Sequence, residues 1–301
     1  MSESTLQRLF RFFGRAGKKH KKSAGTGRLK PVDFRGLLDN NPCEAHRRCE
    51  SVPILLNCEA SRCRTLFSVA LPADGSRPNP LVGTIRDFWA GAASEYGESR
   101  LKRYYESNVP KSAGDALGLP AGALPHRLPS EQAELPWRGV CSRDTVRRRI
   151  KHWKREMTRL GLTFPTESGA PVPRKTWGPM PELLGCAEFR RLIDTAESIR
   201  ANGYRSDLGK QHIRVDLLVD ARKNPPWVVL VGSGMHRVAA LEALEYSMFP
   251  VQIRPSDVFD RSSAERWPAV TENQLTAGQA ISVFDRIFAG EQPPFFSWNE
   301  R

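Results

Sequence analysis

No apolar stretch in the 301 residues approaches the ~20 needed to cross a bilayer as a helix; the longest lies around Trp227 to Val231. That absence excludes a helical transmembrane protein. A secretory signal is missing as well, because Arg8, Arg11 and Arg15 interrupt the apolar residues Leu9, Phe10, Phe12 and Phe13. Six cysteines are too few for a disulfide scaffold in a chain of this length and read as reduced thiols, which points to a cytoplasmic setting. Four of them, Cys43, Cys49, Cys58 and Cys63, lie near His46, but their spacings are wider than those of zinc knuckles, and no metal site is expected. Acidic residues are absent from 4 to 32, a stretch that carries nine lysines and arginines.

What is present is an excess of positive charge, +13 overall, which favours phosphate-bearing or otherwise anionic partners. Two segments hold most of it. Residues 1–30 form a basic arm, in which Leu6, Leu9, Phe10 and Phe13 fall at helical spacing, so 5–30 is a candidate contact to an anionic membrane surface at the cell's inner face. The second is a helix in which Val146, Ile150, Trp153, Met157 and Leu160 make one apolar seam and eight basic residues between Arg143 and Arg159 cover the rest. That helix and the arm also admit a nucleic-acid-binding reading.

The expected fold class is mixed α/β, or α+β, with a larger C-terminal domain and a smaller N-terminal α+β region. Residues 31–137 mix short apolar runs, Val52 to Leu56 and Leu66 to Leu71, with turns and a helical stretch from Ile85 to Tyr105. Residues 138–180 hold the basic helix and a proline-rich connector, 181–290 the main domain, and 291–301 a tail. Within the main domain Phe189, Leu192, Ile193, Ala196 and Ile199 line a helix of about four turns that ends at Gly203. Ile213 to Val219 alternates as a strand, and Trp227 to Val231 is a continuous apolar run suited to a central one. Thr276 and Gln279 form a capping box that opens a last helix.

The chemistry lies where the strand Val228 to Val231 passes through Gly232-Ser233-Gly234 directly into a helix beginning Met235-His236-Arg237. Glycine allows close approach of an anion, first-turn amides lack intrahelical partners, and an arginine fork matches phosphate oxygens. The pattern is a candidate phosphate cradle. A plain turn followed by a capped helix, with His236 in a structural bond, is the alternative that the residues leave open.

From about Leu192 to Ile253, the segments Ser198-Ile199-Arg200-Ala201-Asn202-Gly203, Ile213-Arg214-Val215, Gly234-Met235-His236-Arg237, Ala239-Ala240 and Pro250-Val251 resemble the ParB/sulfiredoxin superfamily. The resemblance covers roughly a quarter of the chain. It implies an α/β domain that binds a nucleoside triphosphate, ATP or CTP with Mg²⁺, and hydrolyses it or transfers its phosphoryl group to a small polar acceptor. Gly234, His236 and Arg237 would contact phosphate with Ser233 beside them, Arg205 would take the place of the arginine-bearing first motif, and Glu182 or Glu188 that of a catalytic glutamate. Two departures narrow the chemistry. Met235 stands where sulfiredoxins carry their cysteine, and the 64 residues after Arg237 show one good helix, too little for a helix-turn-helix that reads DNA specifically. A longer stretch, including Arg266-Trp267-Pro268-Ala269-Val270, Val283 to Phe288 and Ala116-Leu117-Gly118-Leu119, is similar to ParB-like proteins occurring with bacterial surface-polysaccharide genes. The readings that follow are a nucleotide-dependent enzyme at the inner membrane face, a nucleic-acid-binding protein, or a catalytically silent adaptor.

Overall fold

The computed structural model describes residues 30–36, 40–139, 147, 150, 151, 154, 155, 157, 158, 174–206 and 212–298. Their eight strands are β1 (Val32–Asp33), β2 (Ile54–Glu59), β3 (Cys63–Thr65), β4 (Leu71–Pro72), β5 (Ile213–Val219), β6 (Trp227–Ser233), β7 (Met248–Ile253) and β8 (Val258–Asp260). The helices are α1 (Pro42–Arg48), α2 (Pro80–Trp89), α3 (Arg100–Ser107), α4 (Ala113–Ala116), α5 (Glu182–Asn202), α6 (Met235–Ala243), α7 (Pro268–Thr271) and α8 (Ala277–Ala289). All strands join one mixed sheet in the order β1-β2-β7-β5-β6-β3-β4, with β8 also paired to β5.

Strand β5 organises the sheet. It runs antiparallel to β6 along most of its length, parallel to β7 at Ile213 and Arg214, and parallel to β8 from Leu217 to Val219. Beyond Arg214 its neighbour on that side therefore changes, and a register shift against β6 falls between Arg214 and Val215. Asp216 sits at this fork.

The two-residue period of β5 and β6 feeds two cores. Ile213, Val215, Leu217, Val229 and Val231 face a core that includes Leu192, Ile193 and Ala196 of α5 and Val238 and Leu241 of α6. Leu218, Val228 and Leu230 face a second core with Trp137, Trp267 and Phe284 of α8. Burial on both faces explains why β6 reads as an unbroken apolar run.

The expected boundary between 31–137 and 181–290 does not divide the sheet. Strand β2 pairs with β7 over six residues, and β3 pairs in parallel with β6. Without them both central strands would present unpaired backbone edges, so the N-terminal region completes the C-terminal one. The helical stretch from Ile85 to Tyr105 is two helices, α2 and α3, parted where Gly91 takes φ +72°. Leu66 to Leu71 is mostly turn, with Leu66 and Ala70 at positive φ. Helix α5 is longer than expected, at 21 residues, and Gly203 follows it at φ +69°. The Thr276–Gln279 capping box is present at the start of α8.

The arm up to residue 29 lies outside the described residues, as do Val146, Trp153 and Leu160 of the basic seam. Of the described part of that segment, Met157 is buried and Arg147, Lys151, Lys154 and Arg155 are exposed. Among the described residues no helix is long and apolar enough to cross a membrane.

Candidate functional site

Strand β6 ends in Gly232 and Ser233, and Gly234 turns the chain into α6 at φ +106°. A side chain does not belong there. A Cβ on Gly234 would lie 2.9 Å from Arg237 Nη2 and 3.2 Å from Ile213 Cγ1, because the Arg237 side chain folds back across the turn. The Gly234 carbonyl accepts the Arg237 and Val238 amides, which leaves Met235 and His236 ahead of the first intrahelical bond. The Met235 sulfur accepts the Leu66 amide at 3.1 Å and ties the helix start to the loop after β3.

Arg237 is half-buried, and its Nη1 is buried without a hydrogen-bond partner. Burial lowers its pKa; the nearby Tyr204 phenol acts in the opposite direction and the Arg214 charge in the same one. The Tyr204 hydroxyl is itself buried without a partner. Two neighbouring guanidiniums, Arg237 and Arg214, therefore stand at the turn with no carboxylate partner among the described residues. Such an arrangement attracts an anion.

Glu188 of α5 is 1% exposed and meets α6 at His236, where its Oε2 lies 3.2 Å from Nε2. Lys175 Nζ is 2.5 Å and Arg191 Nη1 3.4 Å from the other oxygen. Burial alone would raise the Glu188 pKa, but contact with His236 and the charges of Lys175 and Arg191 outweigh it and hold the carboxyl at about 2. Glu188 is thus an ionised carboxylate that orients the His236 ring. Lys175 is placed by the segment before α5, whose carbonyls at Lys175 and Thr176 accept the hydroxyls of Tyr105 and Tyr104.

A pocket of about 340 Å³ opens beside the turn, on the sheet face that carries Asp216. Gly232, Ser233 and Met235 line it together with Phe67, Thr176, Arg138, Arg214, Arg254, Asp216 and Asp257. Asp216 Oδ2 accepts Arg138 Nε at 2.8 Å and Trp137 Nε1 at 3.3 Å, while Oδ1 accepts Arg138 Nη2. Asp257 Oδ2 accepts Arg254 Nε at 2.6 Å, and Oδ1 accepts Arg254 Nη2 and Arg138 Nη2, each at 3.0 Å. Burial still raises the Asp216 pKa despite Arg138, whereas for the less enclosed Asp257 the two arginines overcome burial and lower it.

No family model, curated protein or solved structure matches this chain.

Of the residues expected at the site, Ser233 lines the pocket. Gly234 and Arg237 meet at the turn beside it and His236 meets Glu188, but none of these four is among the residues that line the pocket. Glu182 joins neither contact: it lies at the exposed start of α5 and pairs with Lys102 at 3.3 Å. Arg205 is exposed and is not among the described residues that line the pocket. Sequence reasoning missed Arg138, Arg214, Arg254, Lys175 and Tyr204. It also missed Asp216, although an acid inside the apolar strand Ile213–Val219 was a readable sign of a buried charge.

Among the described residues no three histidine, cysteine or acidic side chains converge as a metal site. Cys58 and Cys63 are core residues whose thiol pKa values burial pushes up, Cys58 to about 12. Nor does the pocket suit Mg²⁺, which takes oxygen ligands, because all four oxygens of its two carboxylates already accept arginine donors. A larger groove of about 900 Å³ lies at the opposite end of β6, near Val228 and Pro225. Its acids are largely paired, Asp220 with Arg222 and Asp285 with Arg261, and it is remote from the glycine turn.

Proposed function

We propose that this chain binds a nucleoside triphosphate at the pocket beside Gly232 to Arg237, through a ParB/sulfiredoxin-like arrangement, and acts as an NTPase or small-molecule phosphotransferase. One observation carries the reading: Arg237 and Arg214 stand together at a glycine turn that opens a helix, with no carboxylate partner among the described residues. Arg237 is half-buried with Nη1 unpartnered while Arg214 is exposed, and a planar guanidinium pair with no acid between its members suits phosphate oxygens. The resemblance of Gly234-Met235-His236-Arg237 to nucleotide-binding members of that superfamily supports the same ligand.

The chemistry then follows from the Glu188–His236 contact. Arg237 and Arg214 hold the phosphates and Ser233 borders them. The ionised Glu188 fixes the His236 imidazole, which takes the proton of an attacking hydroxyl as its oxygen bonds to the terminal phosphorus and the nucleoside diphosphate leaves. The hydroxyl belongs to water or to a small polar acceptor, and the likeness to proteins occurring with polysaccharide genes points to a sugar-bearing one. The exposed basic residues Arg147, Lys151, Lys154 and Arg155 support the second reading, binding of nucleic acid. Calorimetry with ATP and CTP tests the first: binding by the native chain that Arg237→Ala weakens at least about tenfold supports it. Absence of binding, or equal binding by the variant, removes it.

A further inference from the structure

The carboxylates of the pocket pose a problem for a nucleotide that arrives with a metal ion. Mg²⁺ takes near-octahedral oxygen coordination, usually one or two carboxylates together with substrate phosphates. Asp216 and Asp257 are the two carboxylates that line the pocket, and each has a side chain only 3% exposed. Arg138 occupies both oxygens of Asp216 and bridges to Asp257, and Arg254 occupies both oxygens of Asp257. A metal could reach either acid only by expelling a guanidinium and leaving it unpaired, a costly exchange in a partly buried site.

The remaining cation of the lining is Arg214, which has no carboxylate partner among the described residues. Three guanidiniums therefore face two carboxylates whose every oxygen already accepts a guanidinium donor, and the surplus charge is positive. Where a metal-dependent site would neutralise phosphate with a divalent ion held by acids, this one offers arginine forks directly.

We infer that the pocket binds its nucleotide without a divalent cation, with Arg214, the lining guanidinium that pairs with no carboxylate among the described residues, doing for the phosphates what a carboxylate-held Mg²⁺ does elsewhere. The inference rests on the nucleotide reading above and goes beyond it in assigning the form of the ligand, a metal-free polyphosphate.

The test is titration calorimetry of the full chain with ATP and with CTP, once in EDTA and once in MgCl₂ at equal ionic strength. The expected result is a Kd that differs by less than about threefold between the two buffers. A Kd weakened more than about tenfold by chelation overturns the inference and leaves the nucleotide reading standing. Failure to bind in either buffer overturns both. Two variants sharpen the outcome. Arg254→Ala frees Oδ2 of Asp257, whose Oδ1 keeps Arg138, and takes a positive charge from the lining, so affinity in EDTA is expected to fall about tenfold and Mg²⁺ to recover part of it. Arg214→Ala bares no carboxylate and is expected to lose affinity equally in both buffers. Arg214 is exposed and pairs with no carboxylate among the described residues, so the fold tolerates its loss, whereas Arg254→Ala removes a partner of the buried Asp257 and thermal melting measures that cost. Binding by both variants as tight as that of the native chain in EDTA would also overturn the inference.

Discussion

The carboxylate of Glu188 reaches Nε2 of His236 at 3.2 Å, although the two residues lie on different helices and 48 positions apart. Two cations, Lys175 and Arg191, and the His236 ring surround a side chain that is 1% exposed, so Glu188 is the electrostatic centre of the contact between α5 and α6.

Acid should weaken the fold through this residue. The Glu188 pKa is held at about 2 against an ordinary 4.5, so its contribution is fully present above about pH 4.5 and is lost as pH falls toward 2. The shift corresponds to about 3 kcal/mol. Denaturant titrations between pH 6 and pH 3 should show a steeper loss of stability for the native chain than for Glu188→Gln. Parallel slopes would show that the carboxylate is not depressed.

Turnover should separate from binding at the same position. Glu188→Gln keeps the shape but removes the charge that orients His236, so nucleotide affinity should stay within about threefold while the rate of hydrolysis or transfer falls at least about a hundredfold. A matching change in Kd would mean that Glu188 supports the pocket and not the reaction.

Gly234→Ala should be poorly tolerated. Its φ of +106° disfavours any L side chain, and the new methyl would press on Arg237 and Ile213. A loss of about 1–3 kcal/mol in equilibrium unfolding is expected, together with weaker anion binding because Arg237 must move. A variant with native stability would show that the turn relaxes freely.

Removing Arg138 should cost more than removing its partner with it. Arg138→Ala leaves the buried Asp216 without its bidentate counter-ion, an effect of about 3 kcal/mol, whereas the double change with Asp216→Asn should regain part of the loss. Additive effects in that cycle would rule out coupling between the two.

Part of the site was legible in the residues themselves. The apolar strand, the glycine turn and the basic helix start are all local, and β6 and α6 form where the pattern places them because each follows from short-range periodicity and from glycine's freedom at positive φ. Glu188 also carried a signal. It stands four residues before Leu192 and eight before Ala196, on the apolar stripe of α5, and an acid on such a stripe must find a buried cation. Glu182 lacked that position and lies exposed beside Lys102.

The remainder required the third dimension. Arg138, Asp216, Arg254 and Asp257 come from separate segments, and neither spacing nor composition marks them as neighbours. The same holds for the sheet, since the pairing of β2 with β7 and of β3 with β6 joins residues far apart in the chain. By itself the sequence determined the helix Glu182–Asn202, the strands Ile213–Val219 and Trp227–Ser233, the glycine turn and the capped last helix, because these depend on contacts within a few residues. The tertiary structure alone decided that the pocket's acids pair with arginines while Arg237 and Arg214 pair with no carboxylate among the described residues, because charge pairing depends on proximity in space.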